Sequence, residues 1–287
     1  MESFYILGDM GSGNNDQISV ASAMKEHIQN NSNNTYVCGL GDNIYEKGCS
    51  SLDDIQFITK FEYPYSDISN KIKFYMLLGN HDYGGSYNVQ TGLIDYCPDI
   101  QVEYGIMSQK KGMKWYMPDK YYTFSKGSID FFVLDTNLDM YPDNGEEQLN
   151  YFIKKIKKSK KKWKIVMGHH TWRSVGGHGN AEPVFESFMR RLLEKCSFDI
   201  YFCGHDHNKQ VINLNMFNKD VCLIVCGTGG KVYHDYTDYS NIIEDSDFVF
   251  RSNNLGYGFC KLINGIMNIT FYDDKNNIEY IHKISKL

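Results

Sequence analysis

The sequence predicts an α/β fold of two packed β-sheets flanked by helices, and three observations carry that prediction. Short apolar runs recur from Phe4 to Cys203, and helical patterns lie between several of them. From Gln210 to Ile284 the rhythm changes to short alternating runs separated by Asn-, Gly- and Asp-rich turns. The first two features belong to a sheet with crossover helices and the third to antiparallel strands.

Taken in order, Phe4–Leu7, Tyr36–Leu40, Phe74–Leu78, Phe131–Leu134, Ile165–Met167 and Ile200–Cys203 read as buried strands. Each is a continuous apolar run closed by Gly or Asp, the pattern of a strand covered on both faces. Asp16–Gln29, Glu146–Lys158 and Glu182–Lys195 read as helices between them. The stretch from Tyr233 to Asn254 is polar, rich in Asp and Tyr, and long for a connection, which predicts a functional or mobile loop. His234, at its start, is a candidate pocket residue.

No linker or internal repeat interrupts the 287 residues, so a single domain over 1–287 is expected. An apolar fraction of 42% with 15% aromatics is that of a globular chain, and 23% charged residues require no large disordered segment. The formal charge of −5 argues against a general nucleic-acid binder. The run Lys154, Lys155, Lys157, Lys158, Lys160, Lys161, Lys162 and Lys164 follows an amphipathic stretch and reads as a solvated helix end, where cations suit the helix dipole. No apolar run approaches the roughly 18 residues of a membrane helix, and no signal peptide is visible. A soluble protein, cytoplasmic by default and monomeric, is expected. The eight cysteines form no CxxC pair, and several lie in strand-like runs, so reduced, buried thiols are expected.

The chemistry lies at the strand ends. Gly8-Asp9, Gly41-Asp42-Asn43-Ile44-Tyr45, Gly79-Asn80-His81-Asp82, Gly168-His169-His170 and Gly204-His205-Asp206-His207 each follow a predicted strand. Loops beyond the carboxyl ends of strands are where α/β sheets gather ligands, so side chains far apart in sequence can converge there. A lone Gly-Asp is usually a turn, but Gly-Asn-His-Asp and Gly-His-Asp-His have little structural use. Asp, Asn and His suit intermediate divalent metals, and a tyrosinate among them favours a harder ion such as ferric iron. Two ions about 3.5–4 Å apart can clamp an in-line displacement at phosphorus, which points to phosphate ester hydrolysis.

These blocks resemble the calcineurin-like metallophosphoesterase superfamily, and more narrowly the small, tartrate-resistant branch of the purple acid phosphatases. Tyr45, three residues after Asp42, narrows the resemblance, because the wider superfamily lacks it. Gly79–Gln90, Trp115–Phe124 with Pro118 and Tyr121-Tyr122, Gly204–Gln210, Gly256–Cys260 and the spacing from His169 to His178 also follow the family's order. The resemblance implies a four-layer α/β/β/α sandwich and a binuclear metal centre of Fe(3+) plus a divalent ion, Fe2+, Zn2+ or Mn2+. It places Asp9, Asp42, Tyr45 and His207 on the ferric ion and Asp42, Asn80, His169 and His205 on the divalent one, with Asp42 bridging. His81 and His178 remain as catalytic groups that bind the phosphate or protonate the leaving alcohol. The implied activity is hydrolysis of phosphate monoesters, of a small molecule or a phosphoprotein, by metal-activated water, with no nucleic-acid or membrane partner.

Two departures stand out. After His169 the family continues with an aromatic residue and proline, whereas this chain has His170 and Thr171. His170 is then a surface residue, a group supporting the ligands from behind, or a competing ligand. The missing export signal also differs from the mostly secreted or lysosomal relatives. Competing readings are a phosphodiesterase or nucleotide hydrolase of the same superfamily and a non-catalytic scaffold retaining the fold. His27 and His282 lie in helical and strand-like runs and read as non-ligands.

Overall fold

The computed structural model describes residues 2–31, 35–88, 93–233 and 245–286. The first half of the chain runs β1 (Glu2–Leu7), α1 (Asn15–Asn31), β2 (Val37–Gly39), α2 (Ile55–Phe57), β3 (Phe74–Tyr75), β4 (Gly84–Asn88), β5 (Leu93–Tyr96), α3 (Asp99–Lys110), β6 (Trp115–Tyr116), β7 (Tyr122–Lys126) and β8 (Ile129–Val133). It continues α4 (Glu146–Lys158), β9 (Trp163–Met167), α5 (Pro183–Lys195), β10 (Ile200–Cys203), β11 (Lys209–Met216), β12 (Lys219–Cys226), β13 (Ser246–Ser252), β14 (Gly256–Ile263), β15 (Ile266–Asp273) and β16 (Ile278–Ser285).

Two seven-stranded mixed sheets result, ordered β16-β15-β14-β1-β2-β3-β6 and β13-β11-β12-β10-β9-β8-β7. Within the first, β1, β2, β3 and β6 are parallel; within the second, β8, β9, β10 and β12 are parallel. The late strands pair mainly antiparallel, as their alternation predicts, although β12 also joins β10 in parallel.

Strand periodicity of two sorts the apolar runs into layers. Phe4 and Ile6 of β1 point between the sheets with Cys38, Phe131, Ile165, Met167 and Phe202. Tyr5 and Leu7 point the other way and pack with Val20, Met24 and Ile28 of α1. On the far face of the second sheet, Leu149, Phe152 and Ile156 of α4 and Phe188, Met189 and Leu192 of α5 meet Val166, Tyr201 and Leu223. Spacings of three and four residues place each helical set on one face, and every large apolar side chain so covered contributes about 1.5–3 kcal/mol. Helices therefore cover both outer faces of the two sheets.

Several expectations change in detail. The run Phe74–Leu78 is hydrogen-bonded as a strand only over Phe74–Tyr75, although Met76, Leu77 and Leu78 stay fully buried. The polar stretch 233–254 is not all loop: Ser246–Ser252 forms edge strand β13 against β11. His234 and residues 234–244 of that stretch lie outside the described residues. Lys155, Lys157 and Lys158 occupy the last turn of α4, as the dipole argument requires. All eight cysteines are unpaired, and all but half-buried Cys97 are buried. His27 is half-buried and hydrogen-bonded to the Tyr5 hydroxyl at 2.7 Å. Among the described residues no helix is long and apolar enough to cross a membrane.

Candidate metal centre

The five polar blocks leave the carboxyl ends of strands in both sheets. β1, β2 and the run after β3 deliver Asp9, Asp42 and Asn80 from the first sheet, whereas β9 and β10 deliver His169 and His205 from the second. The turns are sharp. Asp9, Asp42 and His205 have φ of 56°, 51° and 69°, a left-handed conformation uncommon for non-glycine residues and concentrated at functional sites. Their backbones are tied together: Asp9 N–H donates to Gly41 O at 2.9 Å and Gly11 N–H to Asp42 O at 3.1 Å.

The glycines in these blocks make room for the neighbouring carboxylate. A Cβ on Gly79 would lie 2.1 Å from Asp42 Oδ1 and 2.4 Å from the Asp42 backbone nitrogen. A Cβ on Gly204 would lie 2.3 Å from Asp9 Oδ2.

Two donor groups share Asp42. In one, the Tyr45 hydroxyl donates to Asp9 Oδ1 at 3.0 Å and lies 3.0 Å from His207 Nε2, which is 3.3 Å from Asp9 Oδ1. Asp9, Asp42 and His207 each offer a ligand atom within 4.8 Å of the others, and all three are buried. In the other, Asn80 Oδ1 lies 3.1 Å from His169 Nε2 and 3.1 Å from His205 Nδ1, and the two imidazole nitrogens are 3.2 Å apart. Asp42 Oδ1 completes this group, 3.4 Å from His169 Nε2.

Electrostatics favour a cation at both places. Burial raises the Tyr45 hydroxyl, and the Asp9 and Asp42 carboxylates raise it further, so ionising this phenol requires strong positive charge beside it. Burial would lower His169, but Asp42 and then Asp9 outweigh it and push the imidazole up to about 10. Burial also opposes the ionised form of Asp42, yet His169 and His81 hold its carboxyl below the usual range. His169 Nδ1 is hydrogen-bonded to Leu40 O at 2.8 Å, which leaves Nε2 for the donor group, the arrangement usual for a metal-ligating histidine. Burial and then His169 and the other imidazoles keep His205 well below its ordinary value, so it is neutral, as a ligand must be. This donor set of carboxylates, phenol, amide and imidazoles fits a pair of metal ions.

The remaining predicted residues flank this cluster. His81 is half-buried, with Nδ1 2.7 Å from Glu46 O and its ring 4.7 Å from that of Tyr45. His178 is exposed, and its ring stacks on His205 at 3.9 Å. His170 is not the surface residue that leads the three readings of it. Half-buried, it lies 2.7 Å from Thr136 Oγ1, with its ring 4.6 Å from that of His205 and 5.3 Å from that of His169. Burial, and then His169, lower it to about 3, so it packs beside His169 and His205 as a neutral ring.

Three supporting groups escaped sequence reasoning. Asp82 is fully buried and accepts from the N–H groups of Asn43, Ile44 and Gly79 and from Gln101 Nε2, which clamps the Asp42 loop to the Asn80 loop. Burial and then Asp42 push this carboxyl up to about 7. Asp206 accepts from Ser174 Oγ and, at 2.9 Å, from His178 N–H, and so anchors the loop that carries His178. Lys231 lies 3.7 Å from the Tyr45 ring centroid and 2.8 Å from Glu46 Oε1. Asp82 and Asp206 stand inside the motif blocks, a usable signal; Lys231 has none.

A profile of the calcineurin-like phosphoesterases matches residues 3–209, and the chain belongs to that family. It is a distant homologue of the purple acid phosphatases. Purple acid phosphatase 4 of Arabidopsis thaliana is 28% identical over 99% of this chain and 84% of its own length. Tartrate-resistant acid phosphatase type 5 of Homo sapiens is 27% identical over 62% of this chain and 56% of its own. Among solved structures, GAP50, the anchor in the inner membrane complex of Plasmodium, superposes with a TM-score of 0.78 at 23% identity, covering 100% of this chain and 89% of that one. The purple acid phosphatase PPD1 of yellow lupin gives 0.71 at 17% identity, covering 99% and 53%. These two likenesses establish the shared fold.

Proposed function

We propose that this protein hydrolyses phosphate monoesters at a binuclear Fe(3+)–M(2+) centre of the purple acid phosphatase type, M being Fe, Zn or Mn. The observation that carries this reading is the pair of donor groups meeting at Asp42, one of which contains Tyr45. Asp9, Asp42, Tyr45 and His207 would hold the ferric ion and Asp42, Asn80, His169 and His205 the divalent one. When bound, the ions supply Lewis-acid polarisation of the phosphoryl group and lower the pKa of water.

The chain's own groups do the rest. His81, with Nδ1 engaged by Glu46 O, keeps Nε2 for a phosphoryl oxygen. The oxygen of water bonds to phosphorus and gives up one proton to the solvent, the bond from phosphorus to the alcohol oxygen breaks, and the electron pair leaves with that oxygen. His178 supplies the proton that completes the alcohol. Its backbone is fixed by Asp206 and its ring by stacking on His205, which supports that role.

The test is hydrolysis of an aryl phosphate monoester and a matching diester from pH 4 to 8. Protein made with iron and then supplied with zinc or manganese is compared with the exposed-site variant Asn80→Ala. Metal-dependent monoester cleavage that the variant loses supports the proposal. Bound metal with no monoester cleavage at any pH overturns it, and a rate favouring the diester replaces it by a diesterase.

A further inference from the structure

Beside His205 lies a cavity of about 350 Å³. His178 and His205 form its wall toward the donor groups, Leu138 and Phe185 are apolar lining, and Asp139 and Glu182 also line it. Leu138 and Phe185 are 3% and 5% exposed, whereas Asp139 and Glu182 are exposed, and neither carboxylate joins an ion pair among the described residues. Cations lie with Tyr45 instead: Lys231 sits over its ring, and Lys60 Nζ donates to its carbonyl oxygen. Ammonium groups thus lie beside Tyr45, where Lys231 also pairs with Glu46 at 2.8 Å, and among the described residues none lines the cavity, whose carboxylates are Asp139 and Glu182.

A doubly charged phosphoryl group belongs by the cations and the metal donors. The alcohol half of a monoester must then extend past His178, whose proton it receives. The cavity adjoins that position. Its volume lies within the range of about 300–1,000 Å³ typical of small-ligand sites, and an aromatic ring fits it.

We propose that this cavity receives the leaving alcohol and selects apolar alcohols of neutral or positive charge against alcohols bearing a second negative charge. The proposal rests on the monoesterase reading and names its substrate class: monoesters of uncharged or cationic, ring-sized alcohols, with polyanionic esters disfavoured. The selectivity arises by repulsion as well as by fit. With charges ~8 Å apart and an effective dielectric constant of ~40, each carboxylate disfavours a second anionic charge roughly sixfold, and the pair roughly 30-fold.

The experiment compares kcat/KM for phenyl phosphate and 4-carboxyphenyl phosphate, nearly isosteric esters that differ by one negative charge. Metal-loaded wild type, the double variant Asp139→Asn/Glu182→Gln, and Asp220→Asn are measured. Asp220 is exposed in β12 near its start, the end opposite Gly227 and the metal donors, so its variant serves as a control for the general field. The expected result is a roughly 30-fold wild-type preference for phenyl phosphate that falls to less than about threefold in the double variant and persists in Asp220→Asn. A preference unchanged in the double variant, a wild type without preference, or an equal fall in the control overturns the cavity assignment while leaving the monoesterase intact. Failure of wild type to cleave phenyl phosphate at all overturns the monoesterase reading itself, and this inference with it.

Discussion

Replacing Arg173 by methionine tests how the loop carrying His178 is held. Arg173 is 3% exposed and follows the His169 block. Its Nη1 donates to Glu186 Oε2 at 2.6 Å and its Nη2 to Glu186 Oε1 at 3.0 Å, a two-pronged pair with α5. Its Nε and Nη2 donate to Asp245 Oδ1 and Oδ2 at 3.2 and 3.0 Å, just before β13. Methionine keeps much of the aliphatic volume but removes the buried cation that both carboxylates share, with Arg190 at 3.5 Å as the remaining cation of Glu186. Breaking a fully buried pair in this way costs about 3–5 kcal/mol. The Glu186 and Asp245 side chains are 24% and 20% exposed, so water re-enters. The expected loss is therefore about 2–3 kcal/mol, read as a lower urea midpoint at unchanged m-value.

The same variant has a pH signature. Burial raises the Glu186 and Asp245 carboxyls, but Arg173 outweighs burial, and both lie below their ordinary values of 4.5 and 3.8. A depressed carboxyl contributes stability that is complete above its unfolded pKa and disappears as pH falls through its folded value. Wild type loses this contribution as pH drops below about 5, whereas the variant keeps only the weaker pull of Arg190 on these carboxyls, so the gap between them narrows in acid. A gap under about 1 kcal/mol at pH 7, or one that stays constant on acidification, refutes the reasoning.

Three further outcomes follow from the site. Gly79→Ala forces a Cβ against both the side chain and the backbone of Asp42, so it should lower stability by about 1–3 kcal/mol and weaken metal retention; thermal unfolding and metal analysis check both, and wild-type values for each would exclude the crowding. Tyr45→Phe should abolish the visible absorption band of iron-loaded protein, because the phenol oxygen between Asp9 and His207 is the group expected to give it; persistence of the band removes Tyr45 from the iron. His178→Ala should reduce turnover more for esters of basic alcohols than for activated aryl esters, since only the former need a proton as the bond breaks; equal losses along a leaving-group series remove His178 from that role.

Much of the site was legible because its signals are local. An apolar run closed by Gly and followed by Asp, Asn or His marks both a buried strand and a candidate ligand at its end, and that pattern points to Asp9, Asp42, Asn80, His169 and His205. Helices α4 and α5 were equally readable, since their buried residues repeat at three and four. Helix α3, with little segregation of apolar residues along Asp99–Lys110, and edge strand β13, polar throughout much of its length, carry no such period and were missed.

What the sequence by itself determined is the inventory: which candidate ligand types, in which order, at the ends of which strands. Only the tertiary structure decided how they group, because Asp42 and Asn80 come from one sheet and His169 and His205 from the other. It alone half-buried His170 against Thr136, clamped the Asp42 and Asn80 loops on Asp82, and set Lys231 over a ring 186 positions earlier. Those contacts join side chains to backbone or to residues far along the chain, and no local period in the sequence records such a pairing.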